Sequence, residues 1–111
     1  MKSYSVLMTH IATDDLKGIA AYIANELREP ATAKKLVSKL REEVMSLAEL
    51  PTRQALVADE TLAIQGIRKL LIDNYVVFYV VTEKETVTIV RILNSRRDWV
   101  SLLLEEVSEP T

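Results

Sequence analysis

The chain has 111 residues, enough for one domain with a single core and too few for two. With 49% hydrophobic and 27% charged residues, two glycines and three prolines, it reads as an ordinary globular domain without long flexible linkers. Fourteen Lys and Arg against 16 Asp and Glu give a net charge of −2, which argues against a chain that coats nucleic acid indiscriminately, and the lack of cysteine excludes disulfides, thiolate zinc sites and thiol catalysis.

The first residues, Met1-Lys2-Ser3-Tyr4-Ser5, lack the apolar stretch of a signal peptide, and no apolar run approaches the roughly 20 residues needed to span a bilayer. A cytoplasmic chain with no membrane partner is the expectation.

Tyr4 to Met8 alternate weakly and suit a short strand, with Tyr4, Val6 and Met8 on one face. Ala12, Leu16, Ile19, Ala20, Ile23 and Leu27 then recur at spacings of three and four, the stripe of an amphipathic helix. Thr9, or alternatively Thr13, caps its start, and Asp14 and Asp15 lie where the helix dipole favours negative charge. Pro30 ends this helix near Glu29 and suits the first turn of the next, whose stripe is Ala33, Leu36, Val37, Leu40, Val44 and Leu47, running to Pro51. So short a connection predicts an antiparallel helical hairpin. Thr52 to Gln65 looks irregular, with Ala55-Leu56-Val57 and Leu62-Ala63-Ile64 as apolar anchors.

Two β-prone runs, Ile67–Ile72 and Tyr75–Val81, are separated only by Asp73-Asn74, which predicts a tight β-hairpin. Glu83-Lys84 supplies a second turn before a third strand, Thr86–Leu93. Asp98 is placed to cap a short last helix carrying Trp99, Leu102 and Leu103, and Glu109-Pro110-Thr111 should fray. The predicted fold is α+β over residues 1–111. An N-terminal strand, a helical hairpin and a three-stranded antiparallel meander form one small sheet covered on one face by helices, and a short C-terminal helix follows.

Strand parity puts Tyr75, Val77 and Tyr79 on one face of the middle strand and Val76, Phe78 and Val80 on the other. Phe78 is expected in the core, and Tyr75 or Tyr79 on the open face. Arg68, Lys69, Arg91, Arg96 and Arg97 all fall in the meander or just after it, so a cationic cluster on an uncovered sheet face is a candidate surface for something anionic. His10, the only histidine, is read as a residue of the helix start rather than a catalyst.

The order and residues resemble the RelE/ParE superfamily of type II toxins over nearly the whole chain. The resemblance rests on Asp15-Leu16, Ile19 and Tyr22-Ile23 in the first helix and on Ser46-Leu47-Ala48-Glu49-Leu50-Pro51 closing the second. It rests also on Gly66-Ile67-Arg68-Lys69-Leu70, Asp73-Asn74-Tyr75-Val76-Val77-Phe78-Tyr79 and Arg91-Ile92-Leu93-Asn94-Ser95-Arg96-Arg97-Asp98-Trp99 in the sheet. It implies a growth-inhibiting toxin of the kind linked to plasmid stabilization, held in a hetero-oligomer by a small cognate antitoxin. ParE-type members act on DNA gyrase, whereas RelE-type members cleave mRNA on the ribosome without a metal.

The RNA-cleaving pattern calls for a basic residue at Arg68, an arginine after Tyr75, and an arginine with a tyrosine or histidine near the C-terminus. Arg68 and Arg96 or Arg97 fit, but Val76 follows Tyr75, Asn94 stands where many relatives carry histidine, and Trp99 and leucines follow Arg97. ParE-like action on gyrase is therefore expected, with a RelE-like endoribonuclease or a non-toxic antitoxin-binding module as alternatives. By resemblance, Arg68, Arg96 and Arg97 are the candidate catalytic residues, and Lys69, Tyr75, Arg91 and Asn94 the candidate target-binding or nucleic-acid-binding residues. Leu16, Ile19, Ile23, Leu36, Leu40 and Trp99 are the candidate antitoxin contacts. No cofactor and no metal is implied.

Overall fold

The computed structural model describes residues 3–82 and 84–108. The expected turn at Glu83-Lys84 falls partly, and the expected frayed end at Glu109-Pro110-Thr111 wholly, outside the described residues.

The chain opens with strand β1, Ser5–Met8, and helix α1, His10–Ala21. Thr9 caps α1: its backbone is extended and its hydroxyl accepts from Ala12 N–H at 3.0 Å. A π-helical turn, Tyr22–Glu26, extends the helix, and Leu27 N–H bonds to Tyr22 C=O across the widened turn. The extra residue shifts the stripe. Ile23 is buried, but Leu27, expected on the same inward face, is 50% exposed. Arg28 takes a left-handed conformation (φ 54°) that ends the helix. Pro30 stands at the first position of helix α2, Pro30–Met45, as its fixed φ favours. A 3₁₀ turn, Ser46–Ala48, and a second, Pro51–Arg53, follow α2.

The segment expected to be irregular contains a five-residue helix, α3, Glu60–Ile64, whose start is capped by Asp59 accepting from Leu62 N–H. Of the expected loop anchors, Val57 and Leu62 are buried, whereas Leu56 and Ile64 face solvent.

The meander forms as predicted, with β2 at Arg68–Ile72, β3 at Tyr75–Thr82 and β4 at Thr86–Asn94. Asp73 adopts φ 54° in the two-residue turn, which lets Ile72 pair directly with Tyr75. β1 joins the far edge parallel to β4, giving the order β1-β4-β3-β2. Helix α4, Trp99–Ser108, ends the described chain.

Two apolar clusters flank the sheet. On one face, Leu70, Ile72, Val77, Tyr79, Val87, Ile89 and Ile92 pack with Ala12, Leu16, Leu40 and Val44 of the helical hairpin. The other face is not bare. Val76, Phe78 and Leu93 pack there with Val57, Leu62 and Leu103, so α3, α4 and the loop before α3 lie against it. Burial on both faces explains why β3 reads as a continuous apolar run instead of an alternating one. The parity within β3 is as predicted, but its assignment to the open and covered faces is reversed. Tyr79, expected on the open face, is fully buried under the hairpin, and Phe78 is fully buried in the second cluster.

Candidate functional site

The cations expected to gather on one uncovered face are dispersed, and most already have partners. Arg68 pairs across the ladder with Tyr79, and its guanidinium donates to the carbonyls of Gln54, at 2.6 Å, and Thr52. Tyr79 Oη donates to Pro51 C=O at 2.6 Å in the interior. Arg53 donates to the carbonyls of Ser46, Glu49 and Leu50. Arg53, Arg68 and Tyr79 thus fasten residues 46–54 to one another and to the sheet, which gives Arg68 a structural partner that no carboxylate supplies.

Arg91 is held by the first helix. Its Nε and Nη2 donate to the two carboxylate oxygens of Asp15 at 2.8 and 2.9 Å, and Asp15 also accepts from Ile92 N–H. Lys69 lies with its ammonium 5.5 Å from the centre of the Trp99 ring, which in turn sits 5.0 Å from the Phe78 ring. Trp99, a candidate partner contact, is therefore half-buried over the second cluster. His10 is exposed at the start of α1, 3.4 Å from Asp14.

Three candidate residues do converge. Tyr75 begins β3 and pairs directly with Asn94, the last residue of β4. From Asn94 the chain turns towards α4: Ser95 N–H bonds to Asn74 C=O, Arg97 N–H to Asn94 C=O, and Arg96 N–H to Asn94 Oδ1. This turn carries Arg97 to the mouth of a cleft of about 480 Å³ whose lining includes Tyr75, Asn94 and Arg97. Its opposite wall comes from α1 and the π-helical turn: Asp14, Asp15, Gly18, Ile19 and Tyr22. Gly18 leaves open space where a Cβ would stand. Burial, then the charge of the neighbouring Tyr22, raises the pKa of Tyr75, so its phenol is a hydrogen-bond donor at neutral pH. Among the described residues, the guanidinium groups of Arg96 and Arg97 make no hydrogen bond or ion pair.

The sequence singled out Tyr75, Asn94 and Arg97 but not Tyr22 as a site residue. Tyr22 stands in the first helix beside the apolar residue Ile23, and only the π turn, for which the sequence carries no clear signal, leaves its side chain 52% exposed at the cleft.

The expected antitoxin contacts divide. Ile19 and Leu36 are half-buried, whereas Leu16, Ile23 and Leu40 are buried beneath the hairpin, because the stripe that shapes each helix is used against the sheet. Leu16 and Leu40 still form part of the lining of an apolar groove of about 260 Å³, shared with Val6 and Met8 of β1 and Val44 and Met45 of α2, with Arg41 among its residues. Met45 leaves apolar surface exposed at this groove, while Leu7, of opposite strand parity to Val6 and Met8, is exposed on the other face of β1. Among the described residues no helix is long and apolar enough to cross a membrane.

Comparison with known families finds a match over residues 6–99 to the family described as the ParE toxin of the type II toxin–antitoxin system parDE. Among solved structures, the chain is similar to one in the chromosomal ParDE system of P. aeruginosa, at 24% identity and a TM-score of 0.70, covering 85% of this chain and 98% of that one. It is also similar to a chain of the RelBE2 toxin–antitoxin complex of Mycobacterium tuberculosis, at 21% identity and a TM-score of 0.63 over 85% of this chain and 93% of that one. A chain of the E. coli RelBE complex gives 12% identity and a TM-score of 0.59, over 86% of this chain and all of the other. Comparison with curated protein sequences gives no match.

Proposed function

The chain belongs to the ParE toxin family of type II toxin–antitoxin systems, and from that premise we propose that it inhibits growth by acting on DNA gyrase in the cytoplasm and is neutralised by a cognate antitoxin. The observation that carries the choice of target is the dispersal of the cations. Cleavage of mRNA through its 2′-hydroxyl needs a base, an acid and cations converging on one phosphate. Here Arg68 is tied to the carbonyls of residues 52 and 54 and Arg91 to Asp15, while Arg96 and Arg97 lie on the turn into α4. Val76 occupies the position after Tyr75 and is buried, so no side chain supplies a cation there. His10 sits at the start of α1 beside Asp14, and it does not line the cleft that gathers Tyr75, Asn94 and Arg97.

The antitoxin is read as covering the apolar groove between β1 and α2. An amphipathic helix would fill the groove, and the outer edge of β1, the end strand of the sheet among the described residues, would accept an added strand. Ile19 and Leu36, half-buried on the hairpin helices, remain as contacts beyond the groove, whereas Trp99 lies over the opposite face of the sheet and outside this surface.

The test sets the purified chain in a gyrase supercoiling assay and in a ribosome-dependent mRNA cleavage assay. Lost supercoiling with intact message is the expected result. Cleaved message with normal supercoiling overturns the reading.

A further inference from the structure

We infer that the cleft between α1 and the β3–β4 end binds an acidic side chain, Asp or Glu, presented by a protein segment of the toxin's target. This inference rests on the gyrase reading and adds to it the surface used and the chemistry recognised.

The cleft is rich in donors. Asn94 Oδ1 is already occupied by Arg96 N–H, which leaves the amide N–H groups of Asn94 to donate. Tyr22 and Tyr75 contribute phenol hydroxyls, and Arg97 contributes a guanidinium with no partner among the described residues. A guanidinium fork beside neutral donors matches a carboxylate, which accepts several hydrogen bonds at once. The remaining positive charge nearby, Arg91, is consumed by Asp15, so Arg97 is the cation the cleft offers. Ile19 and the aromatic rings give the walls an apolar surface suited to the stem of a Glu or Asp.

The same lining disfavours a nucleic-acid strand. Asp14 and Asp15 both stand in the opposite wall, Asp15 with its charge matched by Arg91, and a phosphodiester chain brings one negative charge per nucleotide along its whole length, against a chain whose own net charge is −2. A single carboxylate brings one negative charge, which the one guanidinium of Arg97 can match.

The experiment measures the concentration of purified chain that half-inhibits gyrase supercoiling, for wild type, Arg97→Glu, Arg97→Lys, Asp14→Asn and a charge control, Lys84→Glu, in the turn before β4. Circular dichroism establishes that each is folded. Arg97→Glu is expected to raise the half-inhibitory concentration about tenfold or more, the scale of one charge-assisted contact. Arg97→Lys should raise it less, Asp14→Asn should lower it, and Lys84→Glu should leave it unchanged. Inhibition by Arg97→Glu equal to wild type overturns the inference and leaves the gyrase reading standing. Loss on Asp14→Asn with Arg97→Glu unaffected overturns it in favour of a cationic ligand. A single-stranded oligonucleotide bound by wild type and not by Arg97→Glu overturns it in favour of phosphate. A wild-type chain that leaves gyrase untouched removes the gyrase reading itself, and with it the premise.

Discussion

Asp15 of α1 and Arg91 of β4, 76 positions apart in sequence, form a two-pronged ion pair with both side chains 13% exposed. It joins the first helix to the strand at the middle of the fold, and Ile92 N–H completes the carboxylate's set of donors. Removing one member of a well-buried pair leaves the other charge without its designed partner. Asp15→Ala should cost about 3 kcal/mol of stability, read as a lower urea midpoint with an unchanged slope. A loss below about 0.5 kcal/mol would mean that solvent compensates the guanidinium.

Tyr79 joins two distant segments through its hydroxyl. Tyr79→Phe leaves the Pro51 carbonyl without its donor in the interior and should cost about 1–2 kcal/mol. It should also alter alkaline unfolding. Burial raises the Tyr79 pKa, against a smaller opposing pull from Arg68 and Arg53. The folded state therefore holds this proton more tightly than the unfolded chain does. The stability linked to it is fully present below the ordinary tyrosine value near 10 and is lost as pH rises through the folded value. Tyr75 and Lys39 act in the same direction. Unfolding free energies measured from pH 8 to 11 should fall for wild type and fall less steeply for Tyr79→Phe.

Gly18 lies inside α1, where glycine costs helix stability, and nothing stands within 4 Å of the place a Cβ would take. Gly18→Ala should stabilise the protein by about 0.5–1 kcal/mol. The methyl would also narrow the cleft, so the same variant should inhibit its target less while melting at a higher temperature. A lower melting temperature would contradict the helical geometry described.

Asp98 caps α4 through Ser101, whose hydroxyl donates at 2.7 Å and whose backbone N–H donates at 3.3 Å. Those hydrogen bonds hold the Asp98 pKa below the ordinary carboxylate range. The contribution is present above the ordinary value near 4 and is lost as pH falls through the lowered one. Asp98→Ala should speed amide hydrogen exchange at Ser101 at neutral pH, with little change in the sheet.

The parts legible in the sequence were those set by local chemistry. Asp73-Asn74 marks its hairpin because left-handed backbone suits Asp and Asn, and Thr9 and Asp98 mark helix starts because their side chains reach amides two or three residues on. Tyr75, Asn94 and Arg97 were singled out by resemblance, and strand pairing with one turn is enough to bring them together. The partners of Arg68 and Arg91 were not legible, since carbonyls 14 to 16 residues away and a carboxylate 76 away leave no mark in spacing. The face taken by Tyr79 was hidden for another reason: β3 is apolar on both sides, so alternation cannot say which side meets the hairpin. The short helix α3 fell below the length at which periodicity speaks, and the π turn interrupts a stripe that reads as continuous.

The most direct test takes plasmid DNA and total RNA from cells arrested by expressing this chain alone. Action on gyrase predicts plasmids that have lost negative supercoiling beside full-length messages. Normally supercoiled plasmids beside messages cut within their coding regions would contradict it.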